Sequence, residues 1–252
     1  MAIVTLFQEA FNGAGELAEQ ISNLLGYRLV SRNEIVEKTA QYGLSKDRQD
    51  RAKSKRLGLM RRMDLGWKHY LIYSQAALTK EIRKGCLVYL GPNGLTLFRN
   101  FPNVLNVQVR TDIERRIDNL MKHSEYVLNR KKAKGLIEKI DDREEKWRNT
   151  LHADGQVRPL EFDLDIELGQ TGIPDACGLI TAALEQKEYQ ITYKSLEVID
   201  LLTIAAELRA RIAMRDDVLD DDIDVAVQDG VIVVKGCVRS IEDIDSIREL
   251  ID

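Results

Sequence analysis

Five short apolar segments, set apart by longer stretches, leave this chain few folds to choose from. The candidate strands are 2–7, 28–30, 86–90, 104–109 and 162–168. Several are almost unbroken apolar runs, such as Cys86-Leu87-Val88-Tyr89-Leu90, a composition typical of strands buried on both faces of a parallel sheet. Between them Leu17, Ala18, Ile21, Leu24 and Leu25 recur at helical spacing, as do apolar positions within 67–83 and 174–185. Strand and helix in alternation predict an α/β fold: a parallel sheet with helices on both faces.

The first strand runs into Phe11-Asn12-Gly13-Ala14-Gly15, a glycine-bearing turn that opens a helix ending at Gly26. N–H groups at such a helix start can converge on an anion. The plainer reading is that Gly13 and Gly15 simply permit a tight turn. Two charged stretches, 44–62 and 123–150, break the alternation and read as excursions from the sheet. The first carries eight cations between Lys46 and Arg62 against Asp47 and Asp50. Its apolar members Leu57, Leu59 and Met60, followed by Met63, Leu65 and Trp67, either pack on the core or meet a partner subunit, which leaves a homodimer open.

From about 187 the pattern changes. Residues 195–213 predict a helix with Leu201, Ile204, Ala205, Leu208 and Ile212 on one face. Beyond a turn with six aspartates between Asp216 and Asp224, Asp229-Gly230 separates two β-branched runs, a strong hairpin signal. A last helix spans roughly 240–250. The aspartates lack the glycine and distal glutamate of a calcium loop, so a solvated turn is expected there.

Composition narrows the function. A net charge of −4 gives no general attraction to nucleic acid, and no aromatic residues interleave the cations of 46–62 for base stacking. No apolar run reaches 18 residues, and the first 25 residues do not show a secretion-signal pattern, so a cytoplasmic protein without a membrane span is expected. Cys86, Cys177 and Cys237, like His69, His123 and His152, are spaced for neither a disulfide framework nor a metal site.

The stretch from Gly13 to Ser45, with Leu25-Gly26-Tyr27 after its helix, resembles the opening of the cytidylate-kinase-like family, nucleoside monophosphate kinases of P-loop fold. The likeness continues through 101–117, 136–147 and 161–166, covering about 1–186. It implies a kinase-like domain over 1–190, with 44–62 as the acceptor-binding arm, 123–150 as the lid, and ATP with Mg²⁺ as cofactor. By this resemblance Asn12, Gly13, Ala14, Gly15 and Glu16 form the nucleotide phosphate turn, Arg32 grips the acceptor phosphate, and Arg116 and Arg143 are the lid's catalytic cations. Residues 195–252, through Val225-Ala226-Val227-Gln228-Asp229-Gly230-Val231, resemble a BON domain, a small α/β module, lacking its last strand.

The departures from the family pattern are chemical. Gly15 stands where the family carries the loop cation, and Glu16 follows it. Phe11 replaces the front glycine and Ala14 a mid-loop glycine. Gly91-Pro92-Asn93-Gly94 replaces Gly-Arg-Gly, Ser31-Arg32 replaces Asp-Arg, and Glu167-Leu168 replaces Asn-Thr. The lid's Asp-x-x-Arg becomes Asp141-Asp142-Arg143-Glu144, with the arginine one place early, a rotation of about 100° on a helix. Phosphoryl transfer depends on positioned cations and Mg²⁺. The expectation is therefore a degenerate kinase with little or no turnover, kept for nucleotide or phosphate binding or for protein interaction. The alternative is an active CMP-like nucleoside monophosphate kinase with cations supplied from 46–62, and nucleic-acid binding through that segment is a remote third.

Overall fold

The structure, a computed structural model, describes residues 2–7, 9–42, 60–123, 129–153, 162–215, 223–238 and 240–251, with side chains at 60–67 and 147–153 set aside. Most of the basic 44–62 segment and of the acidic turn therefore lies outside the described residues, as do the contacts of its apolar members and Trp67.

In chain order come β1 (Ile3–Phe7), α1 (Ala14–Leu25), β2 (Arg28–Ser31), α2 (Arg32–Lys38), α3 (Met60–Ile82), β3 (Leu87–Leu90), the single turn α4 (Gly94–Leu97) and β4 (Val104–Arg110). They are followed by α5 (Ile113–His123), α6 (Arg130–Ala153), β5 (Leu164–Glu167), α7 (Ile173–Leu184), α8 (Tyr193–Ala213), β6 (Asp224–Gln228), β7 (Val231–Lys235) and α9 (Ile241–Arg248). The first five strands form one sheet in the order β2-β3-β1-β4-β5, every pair parallel. All five expected strands are present; β1, β3 and β5 are shorter than expected by a residue or two at an end, and β2 and β4 run one residue further, to Ser31 and Arg110.

The period of two along each strand divides the core. Ile3, Leu87 and Tyr89 face a cluster built from α3 and α8, whereas Val4, Leu6, Val88 and Val107 face one built from α1 and α7. Helices thus cover both faces. The terminal module is an antiparallel hairpin, β6 with β7, whose turn holds Asp229 at φ 51° and Gly230 at φ 77°. Two successive positive φ values make the primed turn that the right-handed twist of a hairpin prefers. Among the described residues this second sheet has two strands.

Helix α8 serves both units. Ile199, Ala206, Ala210 and Ala213 complete the α3 side of the large core, while Leu208 and Ile212 pack with Ile223 and Ile247 under the hairpin. Polar contacts reinforce the first interface: the Tyr42 hydroxyl donates to Glu207 at 2.8 Å, and the buried Tyr73 hydroxyl donates to the Ala213 carbonyl at 2.9 Å.

Candidate functional site

The Phe11–Gly15 turn leaves β1 at the carboxyl edge of the sheet. Here β1 pairs with β3 and β4, the connection from β1 running to β2 on one side and that from β3 to β4 on the other, the place where open α/β sheets bind ligands. Gly13, at φ 86°, is the N-cap of α1, and a Cβ there would lie 3.2 Å from Leu168 Cδ1. Phe11 adopts φ 61°, a left-handed conformation that costs an L-residue about 1–2 kcal/mol. Its ring offsets that cost by packing on Ile117, Leu120, Ala133 and Ile137, the contact between α5 and α6.

The turn is held by the protein's own polar groups. Asn12 is 1% exposed; its Nδ2 donates to the Val109 carbonyl at 2.8 Å, and its Oδ1 accepts the Ala14 N–H at 3.1 Å. That N–H is one of the donors a helix start leaves unpaired, the type of group an anion would otherwise take. Three side chains of the β4–α5 region pin the loop carbonyls: Thr111 on Asn12 at 2.8 Å, Asn119 on Phe11 at 2.9 Å and Arg116 on Ala10 at 2.8 Å.

Arg116 is buried, and its guanidinium is committed. Besides Ala10, it donates from Nη2 to Asp141 of α6 at 2.7 Å, and its Nη1 lies 3.7 Å from Glu9. Arg143 is exposed, whereas Glu144 is half-buried and lines a cleft with Arg32. This first cleft, about 220 Å³, also takes in Glu9, Ala10, Ser31 and Pro92. Burial works against the Arg32 charge, but the Tyr70 hydroxyl, through charge and a hydrogen bond, together with Tyr89 and Glu144, raises its pKa above the ordinary arginine value. Ser31, where the family pattern has an acid, caps α2 by accepting the Glu34 N–H at 3.2 Å.

A second cleft of about 440 Å³ opens on the other side of the turn, between Gly13 and Glu16, Arg115 and Asn119, and Leu168 and Ile173. Asn12, Gly13 and Glu16 thus line this cleft, and Ala14 is buried beside it. A Cβ on Gly15 would meet nothing within 4 Å. Arg32 and Arg116 lie toward the first cleft, and Arg143 joins neither. Sequence reasoning missed the clamping roles of Thr111 and Asn119 and the placement of Glu9 and Glu144. Only Glu144 left a signal, a carboxylate at the arginine position of Asp-x-x-Arg. Among the described residues, no group of three His, Cys, Asp or Glu could hold a metal ion.

Residues 3–170 match the cytidylate kinase-like family, two thirds of the chain. The chain belongs to that family. Residues 200–252 match the BON domain, so this cytidylate kinase-like protein carries a C-terminal BON module. Among solved structures, the kinase-like fold resembles that of an uncharacterized protein from Eubacterium ventriosum ATCC 27560, at 16% identity and TM-score 0.55, over 74% of this chain and 100% of that one. A shikimate kinase from Acinetobacter baumannii in complex with shikimate aligns at 17% identity and TM-score 0.43, over 73% and 93% of the two chains. A gluconokinase from Sinorhizobium meliloti 1021 aligns at 10% identity and TM-score 0.42, over 73% and 91%. No curated protein matches. Among the described residues no helix is long and apolar enough to cross a membrane.

Proposed function

We propose that this cytidylate kinase-like chain is a degenerate kinase, a scaffold that binds nucleotide-class ligands or a protein partner without useful phosphoryl transfer, its BON module serving as a second recognition surface. The observation that carries this reading is the Asn12 side chain. Its oxygen takes the Ala14 N–H from inside the turn, so the helix start is partly satisfied before any ligand arrives. The charges agree. Gly15 offers no cation, exposed Glu16 adds a carboxylate, and Arg116 is spent on Ala10 and Asp141. In the first cleft Glu9 and Glu144 outnumber Arg32.

These residues do not fit a triphosphate with Mg²⁺. A transferring phosphoryl needs convergent positive charge, and loss of a single arginine finger costs about 10³-fold or more in rate. The deciding experiment titrates the full chain calorimetrically with ATP, CMP and their mixture, with and without Mg²⁺, then assays the same sample for CMP-dependent ADP formation. We expect no turnover above background and no Mg²⁺-dependent gain in ATP affinity. Sustained turnover sinks the proposal.

A further inference from the structure

The terminal module leaves a strand edge open. A two-residue turn is closed by a hydrogen-bonded pair, here Gln228 with Val231, and bonded pairs alternate along an antiparallel ladder. The N–H and C=O groups of Ile232 and Val234 therefore point away from β6, and among the described residues no backbone hydrogen bond outside that ladder takes them. β6 has a free edge as well, but it starts at Asp224, just after Asp220-Asp221-Asp222, the kind of charge that keeps an edge from pairing. The β7 edge carries Lys235 alone.

Helix α9 is uncovered on the same side. α8 packs chiefly under β6, and Arg215, just past its end, reaches Ser246 at 3.3 Å, which marks the flank of α9 turned toward α8. Ile247 and Leu250 enter the core beneath the hairpin. At about 100° per residue, Ile241, Ile244 and Ile251 come round to the opposite flank, on the β7 side, where Ile241 is 74% and Ile251 55% exposed. Arg248 lies among them and pairs with Asp245 of its own helix at 3.4 Å, while Glu242 and Glu249 project from a third flank. An open edge above an apolar helix strip calls for another strand and another such strip. A second copy of this chain brings both.

We propose that two copies of this chain pair β7 with β7, antiparallel about a two-fold axis at Val233, into a four-stranded sheet with the two α9 strips in contact beneath it. Ile232 of each copy then faces Val234 of the other, so the free N–H and C=O groups of one edge satisfy those of the same edge in its twin. Val231 faces Lys235 of the other copy, and no like charges stand opposite within β7. One strand edge and one helix strip make a small interface, under about 1,200 Å² in total, so association is weak and in the micromolar range. Pairing of this kind is independent of phosphoryl transfer.

The test follows the mass of the full chain by sedimentation equilibrium from micromolar to submillimolar concentration, with reductant present because Cys237 is exposed. Expected is a reversible monomer–dimer equilibrium. Val231→Lys sets like charges opposite at two symmetric places and should weaken it about tenfold, whereas Val231→Glu sets opposite charges there and should tighten it by a similar factor. Val231 is 58% exposed, so both variants keep the fold, which unchanged thermal unfolding verifies. Should either melt lower, Ile241→Ser decides, since it alters an exposed side chain of α9 and should weaken the dimer severalfold. A monomer at every concentration overturns the inference. Val231 variants that both weaken association, or leave it unchanged, overturn it too, because the copies then meet in another register or on another face.

Discussion

At the scale of single residues, buried polar groups carry more consequence here than surface ones. Asn12 satisfies two partners at once, donating to the Val109 carbonyl and accepting from the Ala14 N–H. Removing it strands buried groups that cost about 1–3 kcal/mol each. Asn12→Ala should therefore lower stability by about 2–3 kcal/mol in urea unfolding without strengthening ATP binding. Glu81 makes a second case. Its side chain is 2% exposed, touches Arg28, and lies 2.8 Å from both Lys38 and Lys84. Burial works to raise its pKa, but the hydrogen bonds from Lys38, Lys84 and Arg28 prevail and take it from the usual 4.5 to about 2. A depressed carboxylate stabilises the fold above its unfolded pKa and ceases to do so as pH falls through its folded one. Thermal unfolding followed from pH 7 to pH 2 should thus show a loss on the order of 2–3 kcal/mol below about pH 4.5 that Glu81→Gln lacks, the variant being destabilised already at neutral pH.

At the scale of elements, α5 and α6 are tied to each other and to the turn after β1. Phe11 joins the α5–α6 cluster, Arg116 of α5 reaches Asp141 of α6, and Arg130 of α6 pairs with Glu114 and Asp118 of α5. The exposed Arg130 pairs add little. The ring and the buried arginine are what matter. Phe11→Ala removes the packing yet keeps a residue at positive φ, so it should cost about 2–3 kcal/mol. Amide hydrogen exchange is expected to quicken together across 113–123 and 130–140, while β1 and β4 stay protected. Exchange confined to residues 10–14 would show that the ring does not anchor the α5–α6 pair. The start of α2 is a smaller case. Ser31→Ala removes an N-cap bond and should cost about 1 kcal/mol by the same unfolding measurement.

For the whole molecule, α8 decides how many units there are in practice. Its apolar residues lie in two cores, and Lys80 of α3 reaches Glu207 at 3.1 Å. Cutting after residue 190 would uncover the core around Tyr73, Ile82 and Leu87. The full chain should therefore unfold in one calorimetric transition, and residues 1–190 alone should aggregate or melt without cooperativity. A truncated chain that melts as sharply and as high as the full one would show that α8 is only an appendage.

The parallel sheet, its flanking helices and the terminal hairpin were legible in the amino-acid order, because period-2 and period-3.6 apolar patterns and an Asp-Gly turn are local signals. Gly15 and Glu16 are plain in the sequence, and that they stand where the family carries a loop cation is what the resemblance implies. Tertiary structure alone decided what surrounds them. Asn12 lies 97 positions from Val109, Ala10 is 106 from Arg116, and Tyr73 is 140 from Ala213; no local pattern encodes such pairs. The sharing of α8 was hidden for the same reason. A periodicity reports that a helix has apolar faces, while which core each face enters depends on elements folded against it from far along the chain.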